Sequence, residues 1–253
     1  SALVPASAMP ATSFKTLLSG LKDVAGMALA GTSALEQAAY SLHLTVEGDD
    51  DAHIALQLAR IEALVKRNKG RVLPAVVPKG MRGRPFSPLR SALGVDGQRW
   101  VPVHGIVPLG EIVATVAEVE AMISARQADL DRLDVLYSPL TTNVPNGVLF
   151  EPCFYWYDEV TPLHIEATEL GEAPAAWLKR ERRDDRRAFV MELWLDTARI
   201  LARHGAVNFQ IGRAYPFAEK LSAPTTALLH GLKAQLDPRG LMNPGALLPR
   251  QAG

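Results

Sequence analysis

The chain has 253 residues, 27 basic and 27 acidic side chains, and a net charge of zero. This length supplies one large or two small domains with a real core, and 48% hydrophobic against 21% charged residues is the balance of a soluble globular protein. The even charge does not imply the basic stripe of a nucleic-acid binder, and the single Cys153 removes an internal disulfide and any cysteine-based zinc site.

No apolar run is long enough to span a bilayer, and Ser1-Ala2-Leu3-Val4-Pro5 lacks the charged start and apolar stretch of a secretory signal. It reads as a cut within a longer protein, and a reducing cytoplasm suits the cysteine usage. The dense run Lys179 to Arg187 is interrupted by Glu181, Asp184 and Asp185, as at a solvated helix start.

Helical spacing of Phe14, Leu17, Leu18 and Leu21 predicts a first helix. Ser41 to Glu47 alternates polar with apolar, the period of a strand. Asp51 is the expected N-cap of a helix to about Arg67, with Ile54, Leu56, Leu58, Ile61, Leu64 and Val65 on its buried side and Gly70 at its stop. Residues 76–98, rich in Pro, Gly and Arg, read as a long irregular loop.

Trp100 to Val107 is a strand candidate, and Pro108-Leu109-Gly110-Glu111 opens a helix through Gln127. Asp134 to Tyr137 and Val148 to Tyr157 follow as strands. Arg186 to His204 carries the clearest apolar stripe and ends at Gly205. Ala206 to Ile211 is a short strand candidate, and a last helix, Thr225 to Leu236, stops at Asp237-Pro238-Arg239-Gly240. The fold class expected from this order is α+β, with helices on a sheet.

Local catalytic signatures are missing from the sequence. No Gly-x-Gly-x-x-Gly opens a helix, no Walker-type loop or Gly-x-Ser-x-Gly elbow occurs, and the six histidines are scattered, so no metal site is expected.

Four runs carry a family resemblance. The first is Leu232-Lys233-Ala234-Gln235-Leu236-Asp237-Pro238-Arg239-Gly240-Leu241-Met242-Asn243-Pro244-Gly245-Ala246-Leu247, a helix stop followed by two rigid turns. The second is Gly205 to Phe217, with Phe209-Gln210-Ile211-Gly212-Arg213 at its centre, and the third is Trp100 to Pro108 around His104. The fourth runs from Pro145 to Asp158 and on through Thr161-Pro162-Leu163-His164. Together they resemble the C-terminal half of FAD-linked oxidases of the vanillyl-alcohol-oxidase superfamily, nearest its D-lactate dehydrogenase and glycolate oxidase branch.

The resemblance implies an antiparallel sheet with helices on one face, built of ferredoxin-like repeats. It implies a substrate-binding cap over residues 1–221 and a helix and tail over 222–253 returning to an FAD-binding domain outside this chain. The intact enzyme would oxidise a hydroxy acid or alcohol by hydride transfer to noncovalent FAD, and the fragment alone would be inactive. His104 is the implied base, Tyr155, Tyr157, Gln210 and Arg213 the substrate contacts, and Asn243, Pro244 and Gly245 the approach to the flavin.

The sequence departs from the branch in two places. Phe209-Gln210 stands where relatives carry Glu-His, and no flavin-linking histidine occurs between Gly147 and Tyr157. A metal-assisted mechanism and a covalent flavin are therefore not expected. A phenol- or aryl-alcohol-oxidising enzyme of the same superfamily and a non-catalytic binding module with the cap fold stay open, as does a homodimer.

Overall fold

A computed structural model describes residues 40–73, 78, 93, 94, 96–168, 174–210, 214, 215 and 217–248. They fall into two compact units, one of residues 1–98 with 160–179 and one of 99–159 with 180–253. The expected helix at Phe14 to Leu21 and most of the expected loop at 76–98 lie outside the described residues.

In the first unit, helix α1 (Asp51–Arg67) forms where the sequence places it, capped one residue earlier than expected. The Asp50 carboxylate accepts the His53 backbone N–H at 2.7 Å. The expected buried face is absent, because no residue of α1 is buried. Its leucines at 56, 58 and 64 do not share one narrow stripe, and all three are exposed. Lys69, not Gly70, takes the positive φ at the stop. Residues 41–47 form no strand, since the alternation finds no neighbouring strand among the described residues. Elsewhere in this unit a turn at Gly94–Gln98 packs Gly97 under the Trp177 ring, where an added Cβ would sit 2.5 Å from it.

The second unit is mixed α+β, a small antiparallel sheet with helices. Its elements are β1 (Arg99–Pro102), β2 (Gly105–Val107), α2 (Ile112–Ala125), α3 (Gln127–Leu133), β3 (Val135–Val144) and β4 (Gly147–Trp156). After α4 (Pro162–Thr168) and α5 (Ala175–Leu178) of the first unit come α6 (Asp184–Arg203), a 3-10 turn (Ala218–Lys220) and α7 (Ala223–Leu236). The expected helix to Gln127 breaks at Arg126 into α2 and α3.

β4 is central. It pairs with β3 along its whole length on one side, and with β1 and then β2 on the other. Pro102 faces Cys153 and Gly105 faces Phe150, so β1 and β2 share one register and are interrupted only at Val103-His104. The cause lies across the ladder. Val103 N–H donates to the Pro152 carbonyl at 2.9 Å, but proline has no N–H to return. Pro139 of β3 also faces Pro152, at a non-hydrogen-bonded pair, so its own missing donor falls on the outer edge of the sheet, where a strand tolerates it.

Strand alternation then sorts β4. Val148, Phe150, Pro152, Phe154 and Trp156 are buried toward the helices, and Leu149, Glu151, Cys153 and Tyr155 occupy the second face. Phe150 and Phe154 are fully buried among Val103, Val107, Val119, Leu193 and Leu201, which draws α2 and α6 onto the sheet. The expected strand at Ala206 to Ile211 shrinks to one antiparallel bridge, Ile106 with Val207, on the outer edge of β2. Gly205 supplies the positive φ that turns the chain there.

Two polar clusters tie helices to this frame. Asp158, with its side chain fully buried, accepts from Trp156 Nε1, Arg187 and the backbone of Arg183. Burial alone would raise its carboxyl, but these donors outweigh that and hold it well below the usual range. His204, at the end of α6, reaches Glu111 at 3.1 Å and Glu118 of α2 at 2.8 Å. Among the described residues no helix is long and apolar enough to cross a membrane.

Phe150→Ala is expected to cost about 3–5 kcal/mol of stability, read from urea unfolding. Glu111 and then Glu118 raise the His204 pKa, so the contribution of this contact is complete below the imidazole's unfolded value and fades as pH rises through the folded one. A His204→Gln variant, which keeps a hydrogen bond but no charge, should lose more stability at about pH 5.5 than at about pH 8.5 in thermal unfolding.

Candidate functional site

The interruption at Val103-His104 is where two of the predicted residues, His104 and Gln210, meet. His104 sits at a non-hydrogen-bonded position, because the neighbouring pair, Val103 with Pro152, holds the ladder bond. Its backbone groups therefore turn outward from the sheet. The N–H donates to the Tyr215 hydroxyl at 3.2 Å, and the carbonyl accepts from Asn208 Nδ2. Asn208 is itself held by Lys220 Nζ, which also donates to the Ala206 carbonyl.

The imidazole is 2% exposed. Phe209 stacks on it with ring centroids 4.2 Å apart, and Tyr215 lies at 4.7 Å and tilted. Nε2 meets Gln210 Oε1 at 3.0 Å. With the amide oxygen as acceptor, Nε2 carries the proton and Nδ1 keeps its lone pair. Nδ1 is buried and has no hydrogen-bond partner among the described residues.

His104 and Gln210 are thus brought together from opposite ends of the second unit. Tyr155 lies on the same sheet face as His104, in β4, stacked on Trp100 at 6.1 Å. Burial, then the neighbouring Cys153, raises its phenol. Tyr157 falls just beyond β4, with the Arg180 guanidinium 4.7 Å above its ring. Arg213 lies outside the described residues. Asn243, Pro244 and Gly245 sit in the terminal turn, where Asn243 and Gly245 take positive φ values of 44° and 74°.

That turn is fastened to α7. The Asp237 carboxylate accepts from Lys233 Nζ and from the backbone N–H groups of Leu241 and Met242, both at 2.9 Å. Lys233 also donates to the Met242 carbonyl at 2.6 Å. The Lys233 contact, opposed by burial and helped by the two N–H donors, pulls the Asp237 carboxyl down to about 2.

Sequence reasoning left Asn208, Phe209, Tyr215, Glu151 and Cys153 without roles. Glu151 lies opposite His104 by the register of β4 with β1 and β2, a relation that no local pattern in the sequence encodes. Burial raises the Glu151 carboxyl, with His104 pulling the other way, and pushes the Cys153 thiol to about 12, out of nucleophile range. No cluster of three or more His, Cys, Asp or Glu able to hold a metal occurs among the described residues.

Tyr215→Phe should cost about 1–3 kcal/mol by leaving the His104 N–H without its acceptor, and should speed hydrogen exchange at that amide. Comparison with protein-family models, with curated proteins and with solved structures gave no match to this chain.

Proposed function

We propose that this chain is the substrate-binding portion of an FAD-dependent oxidoreductase acting on a hydroxy acid or alcohol. The observation that carries the reading is the state of α7 and its tail. No residue of α7 is buried, and Leu228, Leu232, Leu236, Leu241 and Met242 are all exposed around the turn that resembles the flavin-approaching turn of the family. An apolar groove of about 290 Å³ runs along it, lined by Phe217, Leu229, Leu232, Leu236, Met242 and Leu248. A helix end that leaves this many apolar side chains exposed is the end expected to meet a second domain. In this reading that domain binds the FAD, noncovalently.

Two further features support the reading. The order of the strands, β1/β2 then β4 then β3, with a single bridge at Val207 on the outer edge of β2, is compatible with one ferredoxin-like repeat. The residues present also suit the substrate side of hydride transfer. His104 Nδ1 is a buried nitrogen with a lone pair to spare, and Gln210 fixes the ring from the far side. Bound FAD would supply the hydride acceptor; His104 would take the substrate hydroxyl proton, with the Phe209 and Tyr215 rings excluding water from the imidazole.

Purification of the polypeptide encoded by the whole reading frame should give a yellow protein that releases FAD on denaturation. Anaerobic addition of a hydroxy acid or alcohol should bleach it, and Gln210→Ala should slow bleaching by about tenfold or more. A colourless full polypeptide defeats the proposal. Bleaching by aryl alcohols alone transfers it to the phenol-oxidising branch.

A further inference from the structure

The second face of the sheet is mainly apolar, with Ser138, Thr142 and His104 among its polar members. Trp100, Pro102 and Ile106 on β1/β2, Leu149, Cys153 and Tyr155 on β4, and Leu136, Ser138 and Leu140 on β3 surround Glu151, the one charged side chain these strands place there. A carboxylate costs free energy in such surroundings unless a partner repays it. The register sets Glu151 directly across from His104, at a non-hydrogen-bonded pair, where opposed Cα atoms are about 4.5 Å apart and side chains are closest. His104 is also the residue whose ring keeps a buried nitrogen without a partner.

We propose that Glu151 is the electrostatic partner of this site, a cross-strand carboxylate that stabilises the charge the His104 ring acquires when Nδ1 takes a proton, while Gln210 holds the ring itself. The inference rests on the reading of His104 as a base and deepens it. A proton moved from a substrate hydroxyl to Nδ1 converts a neutral imidazole into an imidazolium beside a carboxylate, so a neutral–anion pair becomes an ion pair. In a low-dielectric face that conversion is favoured over charging an isolated imidazole.

The other groups facing the ring do not supply this charge. Tyr215 and Tyr155 are phenols raised by burial, Cys153 is a raised thiol, and Gln210 is neutral. Lys220, on the 3-10 turn, is a cation held by the Ala206 carbonyl and Asn208 Oδ1, and opposes a proton on His104. Among the described residues, Glu151 is therefore the one group around the ring whose charge favours the protonated form.

The test uses the flavin-free chain, so it is independent of the oxidoreductase reading. In carboxyl-detected NMR, His104→Gln should move the Glu151 titration midpoint to higher pH, because glutamine cannot take the positive charge that favours the carboxylate. If that variant does not fold, Glu151→Gln is compared with wild type through the ¹⁵N shifts of the His104 ring. The expected result is a changed ring-nitrogen pattern at His104, with Glu151→Asp restoring much of the wild-type pattern. An unmoved midpoint, or identical ring spectra, overturns the proposal. Absence of flavin from the full polypeptide would instead sink the oxidoreductase reading and leave the coupling intact.

Discussion

The structure of the second unit depends on a missing hydrogen. Pro152 stands in the middle of the one strand that pairs on both sides, and it cannot return the bond that Val103 gives it. The ladder survives because the loss falls at a single pair, and Pro139 opposite it makes no demand on the same position. What results is an edge strand cut in two beside His104. The backbone there is handed from the sheet to side chains of the 206–220 segment, namely Asn208, Tyr215 and Lys220. Packing on the other face fixes the register, since a slip of one residue would exchange Phe150 and Phe154 for Glu151 and Tyr155.

The two faces of β4 thus do different work. One is closed by α2, α3 and α6 around a continuous apolar cluster. The other collects aromatic rings, a thiol, a carboxylate and an imidazole, a mixture that a core selected only for burial would not contain. The second unit is closely packed where α2, α3 and α6 lie and chemically varied on the other face, the division expected of a scaffold that carries a site.

Much of this was legible in the residues. The period of α6, the strand at 148–157 and the stop at Asp237-Pro238 came directly from spacing and turn chemistry. β3 was underread beyond Tyr137 because Thr141, Thr142 and Asn143 form an exposed edge that has no apolar alternation. The strand expected at 41–47 failed for the opposite reason: the alternation is there, but a strand needs a neighbour and among the described residues it has none. His104 and Gln210 were singled out one by one, and their meeting across more than a hundred residues was not legible, because no local pattern encodes it. Phe209 and Tyr215 were hidden similarly; an aromatic in a loop gives no sign of which ring it will cover.

The clasp formed by Lys233 and Asp237 has a consequence for any surface that meets the tail. Its two charges and two backbone donors arrange the Leu241-Met242 turn within the free chain, so the ordering is done before an encounter. Association then forfeits little chain entropy at this point, and a given contact area yields tighter binding than a floppy terminus would give. With the Asp237 carboxyl ionised down to about pH 2, that advantage persists across every pH at which a cell works.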